Sequence, residues 1–135
     1  MFMLKVRIYS FSFLKSGIPG DKTGNGGGFV FDCRFIDNPG RLPEFYSKTG
    51  LDREVIEFLD SKSEMQLFLE HASIMISAAV ENYVKRGFTD IMIGFGCTGG
   101  QHRSVYASEK IKKHLVKEFK SKIIVELDHI DIPSF

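Results

Sequence analysis

The chain has 135 residues, 43% of them hydrophobic and 26% charged, which suits one globular domain around a single core. Eighteen Lys and Arg stand against 17 Asp and Glu, a formal net charge of +1, so no molecule-wide field draws the chain to nucleic acid or to an acidic membrane. No apolar run approaches the length of a membrane span, which excludes a membrane partner from the expectation.

Residues 4–13 alternate apolar and polar positions and predict a first strand, with Lys5 and Arg7 toward water. Residues 17–28 are dense in glycine and include Pro19 and Asp21. They predict a long loop, either covering a ligand or forming a hairpin-like insertion. Residues 29–36 read as a second strand with Asp32 and Arg34 on its polar side, ended by the turn signal Asp37-Asn38-Pro39-Gly40. Asp32 and Arg34 either pair with each other or leave Arg34 aimed at an anion. Of 13 phenylalanines, Phe11, Phe13, Phe29, Phe31 and Phe35 fall at alternating strand positions, as core packing requires.

A loop over residues 46–52 leads to a short helix at 53–59. Ser61 and Glu64 have the spacing of a capping box that opens a long amphipathic helix to about Arg86, stopped by Gly87. Met65, Phe68, Leu69, Ala72, Ile76, Ala79, Val80 and Tyr83 form its core-facing stripe, and His71 beside it reads as structural. Residues 90–95 predict a buried third strand, residues 105–115 a third helix, and residues 123–130 a last strand. The whole predicts an α/β fold: a small mixed sheet of about four strands with helices packed on it.

Between the third strand and third helix lies Gly96-Cys97-Thr98-Gly99-Gly100-Gln101-His102-Arg103-Ser104. A glycine-rich turn at a helix start either makes only a tight strand-to-helix turn with an ordinary N-cap or offers an anion site, because first-turn N–H groups lack intrahelical partners and the helix dipole is positive there. Thr98, Arg103 and Ser104 add hydroxyl and guanidinium donors, Gly99 and Gly100 admit close approach, and His102 brings a charge that depends on pH. The loop has neither Walker A nor G-x-G-x-x-G spacing, which argues against nucleoside triphosphate binding. The crevice is expected beyond the carboxyl end of the third strand.

Cys97 and Arg103 also stand in C-x5-R spacing, which resembles the loop of cysteine-dependent phosphatases. In that alternative Cys97 is the nucleophile and Arg103 holds the phosphoryl oxygens. Gly96 stands where those enzymes usually have histidine, and no aspartate is marked as general acid. The leading expectation has no catalytic residue, metal or cofactor. The two cysteines, Cys33 and Cys97, lack metal-ligand spacing and fit a reducing compartment. With no secretion signal in residues 1–13, the expected location is cytoplasmic.

Taken together, the motifs resemble a known family. Residues 96–106 look like the I-G-C-T-G-G-K-H-R-S-V-Y signature of the C-terminal domain of the RapZ family of RNase adapter proteins. Residues 31–39 are similar to its F-D-x-R-F-x-x-N-P, residues 49–52 to its T-G-L-D, and residues 10–19 to its S-F-G-F-K-x-G-x-P with one residue added. The resemblance covers about residues 10–115 in the family's order and identifies residues 1–135 as one such domain.

The resemblance implies a regulatory domain that binds a phosphorylated amino sugar or similar small anion. Thr98, Gly99, Gly100 and Arg103 would form the site, with His102, Ser104 and Arg34 beside it. It also implies a small RNA or protein partner and a homo-oligomer. Gly40 stands where the family often has histidine. The family's Walker-bearing nucleotide domain is not in this sequence, and its basic tail is replaced by residues 128–135. The remaining cationic track for RNA is Lys110, Lys112, Lys113, Lys117, Lys120 and Lys122.

Overall fold

A computed structural model describes residues 3–24 and 27–133. Four strands, β1 (Leu4–Ser12), β2 (Gly28–Asp32), β3 (Asp90–Cys97) and β4 (Ile123–His129), form one sheet in the order β2-β3-β1-β4. All three pairings are parallel, where a mixed sheet was expected. Parallel strands need return connections of some length, and helices α2 (Ser63–Arg86) and α3 (Arg103–Phe119) serve two of them. The α/β expectation holds.

Strand periodicity sets the layers. Leu4, Val6 and Ile8 are fully buried against the helices, while Lys5, Arg7 and Tyr9 face the other side and are half-buried. β3 is central and buried almost throughout, which its apolar run anticipated. On the helical side, Phe31 stacks on Phe95 at 5.4 Å between centroids and meets the edge of Phe68 at 5.6 Å. This aromatic cluster joins two strands to α2, where Met65, Ala72, Ile76 and Val80 are buried and Phe68, Leu69, Ala79 and Tyr83 flank them. His71 is exposed on α2, as its structural reading allowed.

Two local expectations differ from the structure. β2 stops at Asp32, because the Asp32 carboxylate accepts from the Arg34 backbone N–H at 2.9 Å and turns the chain; Phe35, expected in the core, is 63% exposed. The capping box at Ser61 does not form. Ser61 follows the short helix α1 (Arg53–Asp60) and donates to the Phe58 carbonyl at 2.6 Å, while α2 starts after Lys62 without a side-chain cap.

The described residues of the glycine-rich connection from β1 to β2 form no helix. Arg7 holds it on the open face of the sheet, donating to Asp21 at 3.0 Å and to Asp90 at 2.7 Å. Asp21 also accepts from the Thr23 N–H and hydroxyl, and its carboxyl is held well below the usual range chiefly by those bonds. Residues 25 and 26 of the predicted loop lie outside the described residues.

Candidate anion-binding site

The 98–102 loop follows the carboxyl end of β3 and runs directly into α3. It faces two short 3-10 helices, Pro39–Arg41 and Pro43–Phe45, which come from the turn after β2. Between them is a cleft of about 270 Å³, walled on the loop side by Cys97, Thr98, Gly99, Gln101, His102 and Arg103. Asn38, Gly40 and Tyr46 form the opposite wall. The cleft is therefore where parallel α/β sheets bind ligands, beyond the strand ends. No residue of the described glycine-rich connection lines it.

The loop is braced from behind. The Ser12 hydroxyl donates to the Thr98 carbonyl at 2.6 Å, and Asp131 accepts from the Ser12 N–H at 2.8 Å. Gly100 adopts φ +67, and a Cβ there would stand 2.9 Å from both Ser12 N and Asp131 Cβ. Only glycine fits that turn. The first turn of α3 is braced by the residues that resembled T-G-L-D. The Gly50 N–H donates to the Gln101 carbonyl at 2.9 Å, and a Cβ on Gly50 would lie 2.4 Å from the His102 carbonyl. Gln101 completes the brace, donating to the Tyr46 and Lys48 carbonyls at 2.9 and 2.7 Å.

Arg103 is the electrostatic centre. Its side chain is 4% exposed, and Nη1 donates to the carbonyls of Arg34 at 2.9 Å and Ile36 at 2.8 Å. Nη2 makes a long 3.4 Å contact to Thr98 Oγ1, and Nε is buried with no hydrogen-bond partner. Among the described residues no carboxylate forms an ion pair with this guanidinium. A buried cation with an orphaned donor costs stability, on the order of 1–3 kcal/mol for the unmade bond alone.

His102 is buried, and its Nε2 lies 2.9 Å from the Phe45 carbonyl. A carbonyl only accepts, so Nε2 carries the hydrogen. Burial pushes its pKa below the ordinary imidazole value, against smaller upward effects of the Phe45 and Lys48 carbonyls. His102 is thus neutral at pH 7 and its Nδ1 is an acceptor, which suits a ligand hydroxyl or ammonium rather than an anion.

The other expected residues do not all line the cleft. Thr98 and Gly99 line the cleft, whereas Gly100 shapes the turn behind it. Ser104 is fully buried and accepts from the Cys97 thiol at 3.1 Å, so its hydroxyl faces β3. The Arg34 side chain pairs with Asp32 at 2.6 Å, lies 4.1 Å over the Phe13 ring, and borders an adjoining cleft that also includes Thr98 and Arg103. That pairing holds the Asp32 carboxyl below its ordinary range. Tyr46 and Gln101 were missed: Tyr46 sits in a non-periodic loop, and Gln101 is marked only by its place in the turn.

The RapZ C-terminal domain family matches the chain over residues 4–133. The chain belongs to that family. Among relatives, a nucleotide-binding protein of Thermotoga neapolitana is 44% identical over 115 residues, covering 85% of this chain and 39% of the relative. A nucleotide-binding protein of Bacillus thuringiensis is 38% identical over 128 residues, covering 95% of this chain and 40% of the relative. The chain thus spans about two-fifths of the length of these relatives. Among the described residues, no helix of this RapZ C-terminal domain is long and apolar enough to cross a membrane.

Proposed function

We propose that this domain is a non-catalytic regulatory module that binds a phosphorylated small metabolite, of the amino-sugar phosphate type, on the loop of Thr98, Gly99, Gly100, His102, Arg103 and Ser104. The observation that supports the reading is the Arg103 guanidinium at the start of α3, which lines the cleft and has no carboxylate ion pair among the described residues. Phosphate oxygens there would meet a charge-assisted donor and the first-turn N–H groups of the helix together. The acceptor Nδ1 of His102 fits the sugar hydroxyl or ammonium beyond the phosphate. The relatives' name, nucleotide-binding protein, supports a phosphate-bearing ligand class without selecting a nucleotide for this part of their sequence.

Calorimetric titration of glucosamine 6-phosphate and of inorganic phosphate tests the reading. Arg103→Ala should weaken both by about tenfold or more. Equal binding by wild type and variant, or none by either, would remove the proposal.

The adapter role adds an RNA or protein partner. It rests on family membership and on exposed lysines along and after α3, Lys113, Lys117, Lys120 and Lys122. RNA retention on filters should fall steeply as salt rises, and undetectable or salt-independent retention would exclude it. A cytoplasmic setting is part of the proposal, and the two free cysteines are consistent with it.

The phosphatase alternative has Cys97 and Arg103 on one cleft, but among the described residues no carboxylic acid lines that cleft to protonate a leaving group. Turnover of an aryl phosphate that disappears in Cys97→Ser would establish it against the binding role.

A further inference from the structure

We infer that Asp131 is a positioning residue of the glycine-rich loop, and that the segment following β4 is thereby coupled to ligand binding there. The inference rests on the reading of the loop as an anion site and extends it to how that site is held and regulated. In the sheet β1 lies between β3 and β4. Its ladder with β4 ends at the pair Ser10 and His129, after which the Ile130 N–H still donates to the Ser10 carbonyl at 3.0 Å. The next N–H on that edge of β1, from Ser12, has no strand partner left. It donates to Asp131 Oδ2 at 2.8 Å, so a side chain replaces the ladder at the point where β1 meets the loop.

Asp131 reaches the loop along two routes. Ser12 holds the Thr98 carbonyl through its hydroxyl at 2.6 Å, so a shift of Ser12 is passed to Thr98. The residue also packs on the turn itself: a Cβ on Gly100 would stand 2.9 Å from Asp131 Cβ. The same Oδ2 accepts from the hydroxyl of Ser16, at the start of the glycine-rich connection. Three segments distant in sequence therefore meet at one carboxylate. Among the described residues no cation pairs with it. Its charge by itself opposes an anion on the adjacent loop, so its contribution to binding is the geometry it imposes through hydrogen bonds.

The segment is gripped from α3 as well. The His129 ring bridges the buried Ser10 hydroxyl, at 2.6 Å, to the Glu109 carboxylate, at 2.7 Å. Arg103 stands at the start of that helix. Residues 129–131 thus contact β1, the loop and α3 together. A ligand that fixes the loop and the first turn of α3 also fixes this segment. The coupling is reciprocal, so whatever lifts the segment from β1 weakens the ligand.

Calorimetric titration of inorganic phosphate and glucosamine 6-phosphate into wild type, Asp131→Ala and Asp131→Asn tests the inference. Alanine removes the acceptor, and affinity for both probes should fall about tenfold. Asparagine keeps an acceptor oxygen without the charge, and affinity should return to within about threefold of wild type. Affinity unchanged or raised in Asp131→Ala, even with a lowered denaturation midpoint, would overturn the inference while the anion site stands. An asparagine variant as weak as alanine would overturn it likewise. Wild type alone supplies a second measurement: saturating phosphate should slow amide hydrogen exchange at Ser12 and Ile130 about tenfold. Unchanged exchange rates in phosphate-bound wild type would remove the coupling. Binding of neither probe to wild type would overturn this inference and the anion reading together.

Discussion

The hydroxyl of Ser12, at the end of β1, donates to the carbonyl of Thr98, 86 residues later in the glycine-rich loop, at 2.6 Å. The same oxygen accepts from the N–H groups of Leu14 at 3.1 Å and Lys15 at 3.0 Å, so its bonding capacity is full. Ser12→Ala leaves three backbone groups without this partner and should lower stability by about 1–3 kcal/mol. It should also weaken phosphate binding, because Thr98 loses its brace. An unchanged urea midpoint would show that the contact contributes nothing.

Gly99 and Gly100 are adjacent in sequence but do different work. Alanine at position 100 meets Ser12 N and Asp131 Cβ at 2.9 Å in a left-handed backbone and should cost about 2–5 kcal/mol. At Gly99 a Cβ meets nothing within 4 Å, so Gly99→Ala should leave stability nearly unchanged. Its methyl group would then test ligand contact alone, read as a fall in phosphate affinity at a constant denaturation midpoint.

Gly50→Ala should act on the site from outside the cleft. The added methyl would press on the His102 carbonyl and Tyr106 N, 2.4 and 2.6 Å from an ideal Cβ, where α3 begins. Stability should fall by about 1–3 kcal/mol and phosphate affinity with it. Amide chemical shifts of residues 102–106 that match wild type would contradict this route.

His102 makes stability depend on pH with a definite sign. Its pKa in the folded protein lies below its unfolded value, so the unfolded chain binds the extra proton first as pH falls. The contribution is complete above the unfolded value near 6.5 and declines with acidification until the folded pKa is passed, with a slope of at most about 1.4 kcal/mol per pH unit. His102→Gln should flatten stability against pH in that window. Denaturation midpoints that decline with the same slope in both proteins would assign the effect to other groups.

Cys97→Ser separates binding from covalent chemistry. The thiol donates to the Ser104 hydroxyl at 3.1 Å, and Cys97 lines the cleft. Glucosamine 6-phosphate affinity should stay within about threefold of wild type, since no donor to phosphate is removed. A larger loss measured by calorimetry would give the sulfur a direct part in the site.

Much of this was legible because it is local. Alternation in β1, the apolar run of β3, the stripe on α2 and the glycine turn before α3 each report a backbone period or a required dihedral angle, which neighbouring residues determine. The same reasoning misjudged residues 33–36 and Ser61. A carboxylate reaching a backbone N–H two residues on turned β2 aside, and Ser61 was drawn to the end of α1 rather than to the start of α2. Such side-chain bonds compete with strand and cap patterns at almost equal free energy, so spacing does not decide between them.

The amino-acid sequence by itself determined the α/β class, the order of its elements and the place of the glycine-rich loop, because helix and strand periods and glycine turns act over a few residues. Tertiary structure alone decided what faces that loop. It brought the carbonyls of Arg34 and Ile36 to Arg103, buried the guanidinium with one donor unpaired, and engaged His102 with the Phe45 carbonyl. Those contacts span 57 to 69 residues and follow from the parallel order of the strands. No local period specifies them, and burial created by that packing sets the charge of the site.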